Sequence, residues 1–177
     1  MQIELERLDR MESYFLGIRL PRQLENECEM WRRRFRAPRT VPHITLIPPF
    51  QWERGQEELL RLIQKHSVSA FQIEGEGLGS FGTAVLFINV TLNPALDTLQ
   101  ENLSRALQDH GIPKDKRPYH PHITLATRLR PHQFAEYSQA LKDYHPQYAF
   151  KCSQISLFRL EEHGAGKRWV DVKQVNL

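Results

Sequence analysis

Two histidines, each followed two residues later by a threonine, are the residues of this chain best suited to chemistry. They lie in a pentapeptide, Pro-His-Ile-Thr-Leu, which occurs at Pro42–Leu46 and again at Pro121–Leu125. Successive side chains of a β-strand point to opposite faces, so each histidine shares a face with its threonine, while isoleucine and leucine share the other. With the apolar faces buried in a core, two imidazoles and two hydroxyl groups would line one cleft.

The imidazoles of His43 and His122 suit acid–base catalysis, because the ordinary histidine pKa of about 6.5 lies close to neutral pH. A neutral ring can take a proton from the attacking water or hydroxyl group, and a protonated ring can give one to the leaving oxygen. The hydroxyl groups of Thr45 and Thr124 can hydrogen-bond the non-bridging oxygens of a phosphodiester, where negative charge builds during displacement. The pattern indicates in-line attack at phosphorus without a metal ion.

Packing is the alternative explanation of the repeat. A duplicated lobe could retain the pentapeptide for its core contacts, and one His-x-Thr unit in a strand carries little information. Packing accounts for the isoleucines and leucines better than for histidine and threonine, because polar side chains inside a core need hydrogen-bond partners. Two copies at matching places in the chain favour a functional pair.

The elements that must position the motifs come in the same order twice. The first series begins with a strand over Ser13–Leu20 and a helix with apolar positions from Leu24 to Phe35. The first motif strand follows and is expected to end at Pro48-Pro49. A helix over Glu53–His66 and a strand over Val68–Glu76 complete the series. Glycines at positions 75, 77, 79 and 82 indicate loop or turn.

The second series repeats this order and adds one strand. It consists of a strand over Ala84–Thr91, a helix capped by Asn93 and opened by Pro94, the second motif strand, a helix opened by Pro131, and one long strand over Tyr148–Leu160. A hairpin at positions 163–166 then leads to a last strand over Trp169–Val175.

The repeated order predicts an α+β fold with two pseudo-symmetric lobes. Each lobe is expected to be a mainly antiparallel sheet flanked by helices, with the motif strands facing each other across a central cleft. The length of 177 residues fits a single bilobal domain over residues 1–177.

Composition excludes several classes of protein. The hydrophobic fraction of 40% and charged fraction of 25% are ordinary for a globular chain, and no stretch approaches the roughly 20 apolar residues of a membrane span. The net charge of +3 is compatible with an anionic ligand but does not by itself argue for nucleic acid. Cys28 and Cys152 form no disulfide or metal-binding pattern, and the charged segment Met1–Arg10 lacks the apolar run of a signal peptide. We therefore expect a cytoplasmic protein.

Three residues near the motifs are candidates for substrate binding. Phe50 and Tyr119 could stack on a base, as aromatic rings do with unpaired nucleotides, although core or rim packing explains them equally well. His120 precedes His122 by two residues and could share its face, either supporting the site or simply lying exposed at the start of the strand. No set of His, Cys, Asp or Glu at ligand spacing surrounds it, so we expect no metal.

Five arginines between positions 32 and 39 form a basic cluster at the end of the first predicted helix. They could track a phosphate backbone. Three glutamates between positions 25 and 29 lie toward the start of the same helix, which is the charge order that a helix dipole favours. Helix stabilisation is therefore the competing explanation.

The motif segments Pro42–Ile47 (PHITLI) and Tyr119–Ala126 (YHPHITLA) closely resemble the paired H-x-T/S motifs of the 2H phosphoesterase superfamily. That superfamily includes the bacterial 2'-5' RNA ligase and RNA 2',3'-cyclic phosphodiesterase proteins. SYFLGIRLP and ISLFRL are similar, more weakly, to its opening strand and its Leu-Phe strand. The resemblance thus spans nearly the whole chain.

The resemblance implies a metal-independent phosphoesterase without a cofactor, in which His43 is the general acid and His122 the general base for hydrolysis of a cyclic phosphate. Thr45 and Thr124 match the threonines of the two motifs. Many members carry an arginine shortly after the second motif, which makes Arg128 a candidate phosphate ligand.

The expected substrate is an RNA end or a nucleotide with a 2',3'-cyclic phosphate, and we expect a monomer with no membrane contact. Four alternatives stay open. They are a cyclic phosphodiesterase for a small nucleotide such as an ADP-ribose cyclic phosphate, a 2'-5' oligonucleotide phosphodiesterase, a module that binds RNA ends without catalysis, and metal-dependent hydrolysis.

Overall fold

The computed structural model describes residues 11–37 and 40–177; Met1–Arg10, used above for the expected location, lie outside the described residues. The described part forms nine strands and four helices. In chain order these are β1 (Glu12–Arg19), α1 (Arg22–Arg34), β2 (His43–Trp52), α2 (Gln56–His66), β3 (Phe71–Glu76), β4 (Leu78–Phe81), β5 (Val85–Asn89), α3 (Pro94–Gln108), β6 (His122–Ala126), α4 (Pro131–Ala140), β7 (Gln147–Cys152), β8 (Gln154–His163) and β9 (Gly166–Asn176). None of these four helices has the length and apolar run that a membrane crossing requires.

Seven strands form one antiparallel sheet in the order β4-β5-β6-β2-β1-β8-β9, and β3 pairs with β7 in a separate two-stranded sheet. The predicted α+β class is confirmed. The strands of the two lobes join in a common sheet, because the motif strands β2 and β6 pair with each other. The cleft is therefore one face of a continuous sheet.

The strands on the two sides of the contact between β2 and β6 correspond to each other one by one. In the first lobe β2 pairs with β1 and β1 with β8; in the second, β6 pairs with β5 and β5 with β4. The series β-α-β-α-β-β thus occurs twice, over β1 to β4 and over β5 to β8. The predicted repeat is confirmed, and β9 is the one described strand outside it.

The prediction that Pro48 and Pro49 end the first motif strand is wrong. The strand runs on to Trp52, and the two prolines lie where its register against β1 shifts, between the pairs Leu16–Ile47 and Tyr14–Phe50. Such a bulge leaves a residue without a ladder hydrogen bond. Proline has no N–H to contribute, so it is tolerated there.

Two further strand boundaries differ from the prediction. The long strand predicted over Tyr148–Leu160 breaks at Ser153 into β7 and β8, which belong to different sheets. The glycine-rich segment predicted as loop contains β4. Gly79 is needed in β4 for close approach, since a Cβ there would lie 2.4 Å from Phe87 Cε2.

The apolar stripes of the predicted helices join the buried strand residues in one core cluster. Leu59, Leu62 and Ile63 of α2 are buried, as are four leucines of α3, Leu96, Leu99, Leu103 and Leu107. The predicted cap of α3 is confirmed, because Asn93 Oδ1 accepts a hydrogen bond of 2.9 Å from the Leu96 amide. The helical side of the motif strands is thereby fixed against a packed layer.

Candidate active site

The structure brings both His-x-Thr units to one face of the sheet. β2 and β6 run antiparallel and are paired at Ile44 and Ile123, the central residues of the two pentapeptides. Both isoleucines are fully buried, whereas the histidine and threonine on either side of each are only partly buried. The predicted alternation is therefore confirmed.

The register at the two isoleucines fixes the arrangement of the four polar side chains. In an antiparallel pair, the residues on either side of Ile44 face those on either side of Ile123 in reverse order. His43 is therefore opposite Thr124, and Thr45 is opposite His122. The two histidines then lie on a diagonal, a relation in which residues of paired strands are about 7–8 Å apart. This spacing leaves room for a tetrahedral group between the imidazoles.

Each imidazole is held by the backbone two residues before it. His43 Nδ1 lies 2.7 Å from the Val41 carbonyl oxygen, and His122 Nδ1 lies 2.8 Å from the carbonyl oxygen of His120. A carbonyl oxygen can only accept, so Nδ1 is the donor in both rings. Nε2 is left as the nitrogen that can exchange a proton in each ring.

Aromatic rings of the neighbouring strands lie beside both histidines. The ring of His43 lies 4.9 Å from that of Phe15 and 5.4 Å from that of Phe158. The ring of His122 lies 5.0 Å from both Phe81 and Phe87. Sequence reasoning missed these four residues, because a single sequence does not show which strands flank the motif strands.

The two histidines differ in their electrostatic surroundings. The pKa of His43 is lowered to about 4. Burial is the main cause, the Val41 hydrogen bond opposes it, and the positive charges of Arg32, His122 and Arg19 add to it. Without a ligand, His43 is a neutral base at pH 7.

Burial also lowers the pKa of His122. The hydrogen bond to the His120 carbonyl opposes this shift, and the charge of the His120 ring adds to it. Among the described residues the charge that lowers the pKa of His122 is that of His120 and not of an arginine, so the described environment of His122 is the less cationic of the two.

Arg32, from the predicted basic cluster, turns inward. Its side chain is almost fully buried, and Nη1 donates to the Thr40 carbonyl oxygen at 2.5 Å. This bond holds the segment that leads into His43. Arg33 is exposed beside Glu29 at 3.9 Å, as expected for charges at a helix end, and Arg39 lies outside the described residues.

Arg19 also acts on the His43 side of the cleft. It is directly opposite His43 in the pairing of β1 with β2, and residues opposite each other share a face. Its guanidinium contacts Glu25 at 2.7 Å and Asp171 at 3.2 Å. Two carboxylates thus fix this arginine at the edge of the site.

Two of the candidate binding residues lie close to the motifs. The Tyr119 hydroxyl donates to the Thr45 carbonyl oxygen at 3.0 Å, which ties the segment before β6 to β2. The exposed His120 ring lies 6.3 Å from the His122 ring. Base stacking by Tyr119 stays a prediction, and the structure gives its hydroxyl a backbone partner.

Phe50 and Arg128 lie farther from the histidines. Phe50 is buried and its ring lies 6.5 Å from the Tyr14 ring; it is seven residues beyond His43 on the same strand, a separation of roughly 20 Å at 3.3 Å per residue. Arg128 is exposed on the loop after β6, with φ at +56°. Phosphate binding by Arg128 stays a prediction.

The donors of the site itself are imidazoles and hydroxyl groups. Within residues 11–37 and 40–177 no three His, Cys, Asp or Glu side chains come together in a group that could hold a metal ion. The chemistry available from the described side chains is proton transfer by Nε2 and hydrogen bonding by the threonines.

Comparison with known proteins gives consistent relatives. The family model of the 2'-5' RNA ligase superfamily matches residues 20–164. A Bacillus subtilis (strain 168) protein named RNA 2',3'-cyclic phosphodiesterase is 27% identical over 142 residues, which cover 68% of this chain and 73% of that protein.

Solved structures show the same fold. The structure of E. coli LigT complexed with 3'-AMP has a TM-score of 0.73 at 21% identity and covers 94% of this chain and 98% of LigT. A protein of Thermus thermophilus has a TM-score of 0.68 at 22% identity, covering 93% of this chain and 97% of its own.

Proposed function

The chain belongs to the 2'-5' RNA ligase superfamily of 2H phosphoesterases, and from that premise we propose that it is a metal-independent phosphodiesterase that hydrolyses 2',3'-cyclic phosphates at RNA or nucleotide ends. One observation carries the proposal. Pairing of Ile44 with Ile123 puts two imidazoles, each with Nδ1 held by a carbonyl, on one face with two threonines. The name of the Bacillus subtilis relative supports the choice of substrate.

The reaction divides between the two rings. Water attacks phosphorus, and Nε2 of His122 takes its proton as the new P–O bond forms. The bond from phosphorus to one ribose oxygen breaks, and Nε2 of His43 gives that oxygen its proton. Thr45 and Thr124 donate hydrogen bonds to the non-bridging oxygens, where the charge increases. The product is a phosphate monoester on the other ribose oxygen.

The acid role places a requirement on His43. Its pKa of about 4 in the free protein keeps the ring neutral at pH 7, so it must gain its proton once substrate is present. A bound phosphodiester carries negative charge, and an opposite charge within about 4–6 Å favours the protonated ring. Binding of the anion therefore prepares the acid.

Single alanine variants of the two histidines test the proposal. We expect His43→Ala and His122→Ala each to lower turnover of adenosine 2',3'-cyclic phosphate by about 10²–10⁴-fold, with affinity for the product largely kept. His132→Ala, an exposed histidine on α4, is the matched control and should act like the parent protein. Near-parental turnover by either site variant would overturn the proposal.

A substrate panel separates the alternatives. It should contain cyclic mononucleotides, RNA with a cyclic phosphate end, an ADP-ribose cyclic phosphate and 2'-5' linked oligomers. Binding without turnover of any member would identify a module that recognises RNA ends. Loss of activity with a chelator would overturn metal independence.

The cellular setting is part of the same proposal. Both cysteines are buried free thiols, which suits a reducing compartment, and we place the protein in the cytoplasm as a monomer built from one bilobal domain. Light scattering of the purified protein checks the monomer.

A further inference from the structure

The aromatic rings beside the two histidines occupy equivalent positions in the two lobes. Phe158 of β8 is opposite Phe15 of β1, and Phe81 of β4 is opposite Val85 of β5. Because β8 and β4 correspond in the repeat, Phe158 and Phe81 are counterparts, each about 5 Å from a histidine ring. The two rings thus hold the same position of the repeat in two different surroundings.

The two counterparts differ sharply in exposure. Phe158 is 0% exposed and Phe81 is 40% exposed. In the first lobe, Phe15 lies flat on Phe158, with ring centroids 4.3 Å apart and planes 5° from parallel. Trp169 of the additional strand β9 then meets the edge of Phe15 at 4.9 Å. The chain itself fills the space over that ring.

In the part of the chain that the structure describes, the second lobe lacks both covering groups. Val85 stands in the place of Phe15 and is too small to cover a ring, and β4 is an edge strand with no counterpart of β9 among the described strands. Phe87 packs against Phe81 at 4.6 Å, and the rings of His120 and His122 lie roughly perpendicular to it. Among the large apolar side chains exposed in the described residues, Phe81 is the one aromatic ring.

We propose that Phe81 and His120 form a subsite for the nucleobase carried by the ribose whose cyclic phosphate is hydrolysed. A planar base stacked on Phe81 would cover that ring in the second lobe, as Phe15 covers Phe158 in the first. The inference rests on the proposed function, since it names the substrate class of the same site. It selects nucleotide or RNA ends over cyclic phosphates whose ribose carries no base.

The charges on the two sides of the cleft agree with this orientation. Asn89 holds, opposite His122, the position that Arg19 holds opposite His43. The first side therefore carries the guanidinium with its two carboxylates, and the second carries an amide and exposed aromatic surface. An uncharged heterocycle is better suited to the second side, because it displaces no ion pair.

Equilibrium binding of unreactive products tests the subsite without relying on turnover. The ligands are adenosine 3'-phosphate and 1-O-methylribose 3-phosphate, which has no base. Phe81→Ala should weaken adenosine 3'-phosphate by roughly 5- to 150-fold, the range for loss of one base–aromatic stack, and leave the baseless phosphate unchanged. Phe81→Trp should restore the affinity, and Met30→Ala, an exposed apolar residue on α1, is the control.

Four results would overturn the subsite. The first two are equal affinity of the parent protein for both ligands and an unchanged affinity for adenosine 3'-phosphate in Phe81→Ala. The third is an equal loss of affinity for both ligands in Phe81→Ala, which would make Phe81 a support for His122. The fourth is a dimer of the parent protein that Phe81→Ala dissociates. An inactive parent protein that still shows the base-dependent loss would instead refute the proposed hydrolysis and keep the subsite.

Discussion

The first and second lobes present the same His-x-Thr unit in two different environments. His43 lies under a closed aromatic stack with arginines nearby, and its pKa falls to about 4. His122 lies beside an exposed ring, and its neighbouring charge is another histidine. The motif therefore fixes the position of each imidazole, and the flanking strands determine the solvent exposure and the positive charge around it.

The additional strand β9 explains much of this difference. It pairs with β8, brings Trp169 over Phe15, and supplies Asp171 to Arg19 at 3.2 Å. The outer edge of the second lobe ends at β4. One strand beyond the repeat thus closes one side of the cleft and leaves the other open.

The largest expected contrast between the lobes concerns which histidine is the acid. An ester with a 4-nitrophenolate leaving group needs no proton donor, so with thymidine 3'-(4-nitrophenyl phosphate) the His43→Ala variant should stay within about tenfold of the parent. His122→Ala should lose about 10²–10⁴-fold. Initial rates of nitrophenolate release measure this.

The same assay with His132→Ala controls for the loss of an imidazole as such. The opposite pattern, with His122→Ala rescued and His43→Ala inactive, would exchange the two roles. Such an exchange would agree with the more cationic setting of His43.

The second contrast is the pH dependence of stability. The folded pKa of His43 is about 4 and its unfolded value is about 6.5, so the unfolded chain takes up the proton first. Stability is full above pH 6.5 and falls as the pH drops toward 4, by up to about 3 kcal/mol from this residue.

Urea unfolding at pH 7 and pH 4.5 measures this loss. His43→Gln should reduce the change in the free energy of unfolding between these two pH values more than His122→Gln does. His132→Gln should leave that change as it is in the parent protein. Parallel curves for the parent and His43→Gln would show that burial does not depress the pKa of His43.

A smaller contrast lies in the glycines beside the aromatic supports. A Cβ at Gly79 would lie 2.4 Å from Phe87 Cε2, whereas the nearest atom to a Cβ at Gly17 is the Ile44 carbonyl oxygen at 3.1 Å. We expect Gly79→Ala to cost about 1–3 kcal/mol, as overpacking does, and Gly17→Ala to cost less. Urea unfolding gives both values, and the ring signals of His122 should shift in Gly79→Ala alone. Equal costs would mean that the two supports are equally rigid.

The smallest effect is expected at the start of the corresponding helices α1 and α3. Asn93 caps α3 through its side chain, while α1 begins after Pro21 without a side-chain cap. Asn93→Ala should lower the free energy of unfolding by about 1 kcal/mol, with the exposed Thr98→Ala on α3 as control. A loss no larger than that of the control would show that α3 depends on packing alone.

The parts of the fold predicted from sequence are those set by local pattern. The alternation at His43 and Thr45 follows from the strand period of two, the stripe of α3 from the helical period, and its start from Asn93 followed by Pro94. The repeat was visible because the pentapeptides and their flanking elements recur in order.

The parts that were missed depend on pairing between distant segments. Pro48 and Pro49 are compatible with a strand only because β2 is bulged at these two residues, which face the single residue between Tyr14 and Leu16 of β1. The break at Ser153 follows from strands that pair in different sheets. The rings of Phe81 and Phe158 reach the histidines through β4 and β8. No local pattern in one sequence identifies these neighbours.

Ile44 and Ile123 hold the same place in the two pentapeptides and meet each other at the middle of the sheet. A residue that contacts its own equivalent is what the isologous interface of a two-fold homodimer contains. In a homodimer every substitution appears on both sides at once. A single chain removes that constraint. One half can therefore gain the covering strand β9 while the other keeps the exposed ring of Phe81, an asymmetry that two identical subunits could not encode.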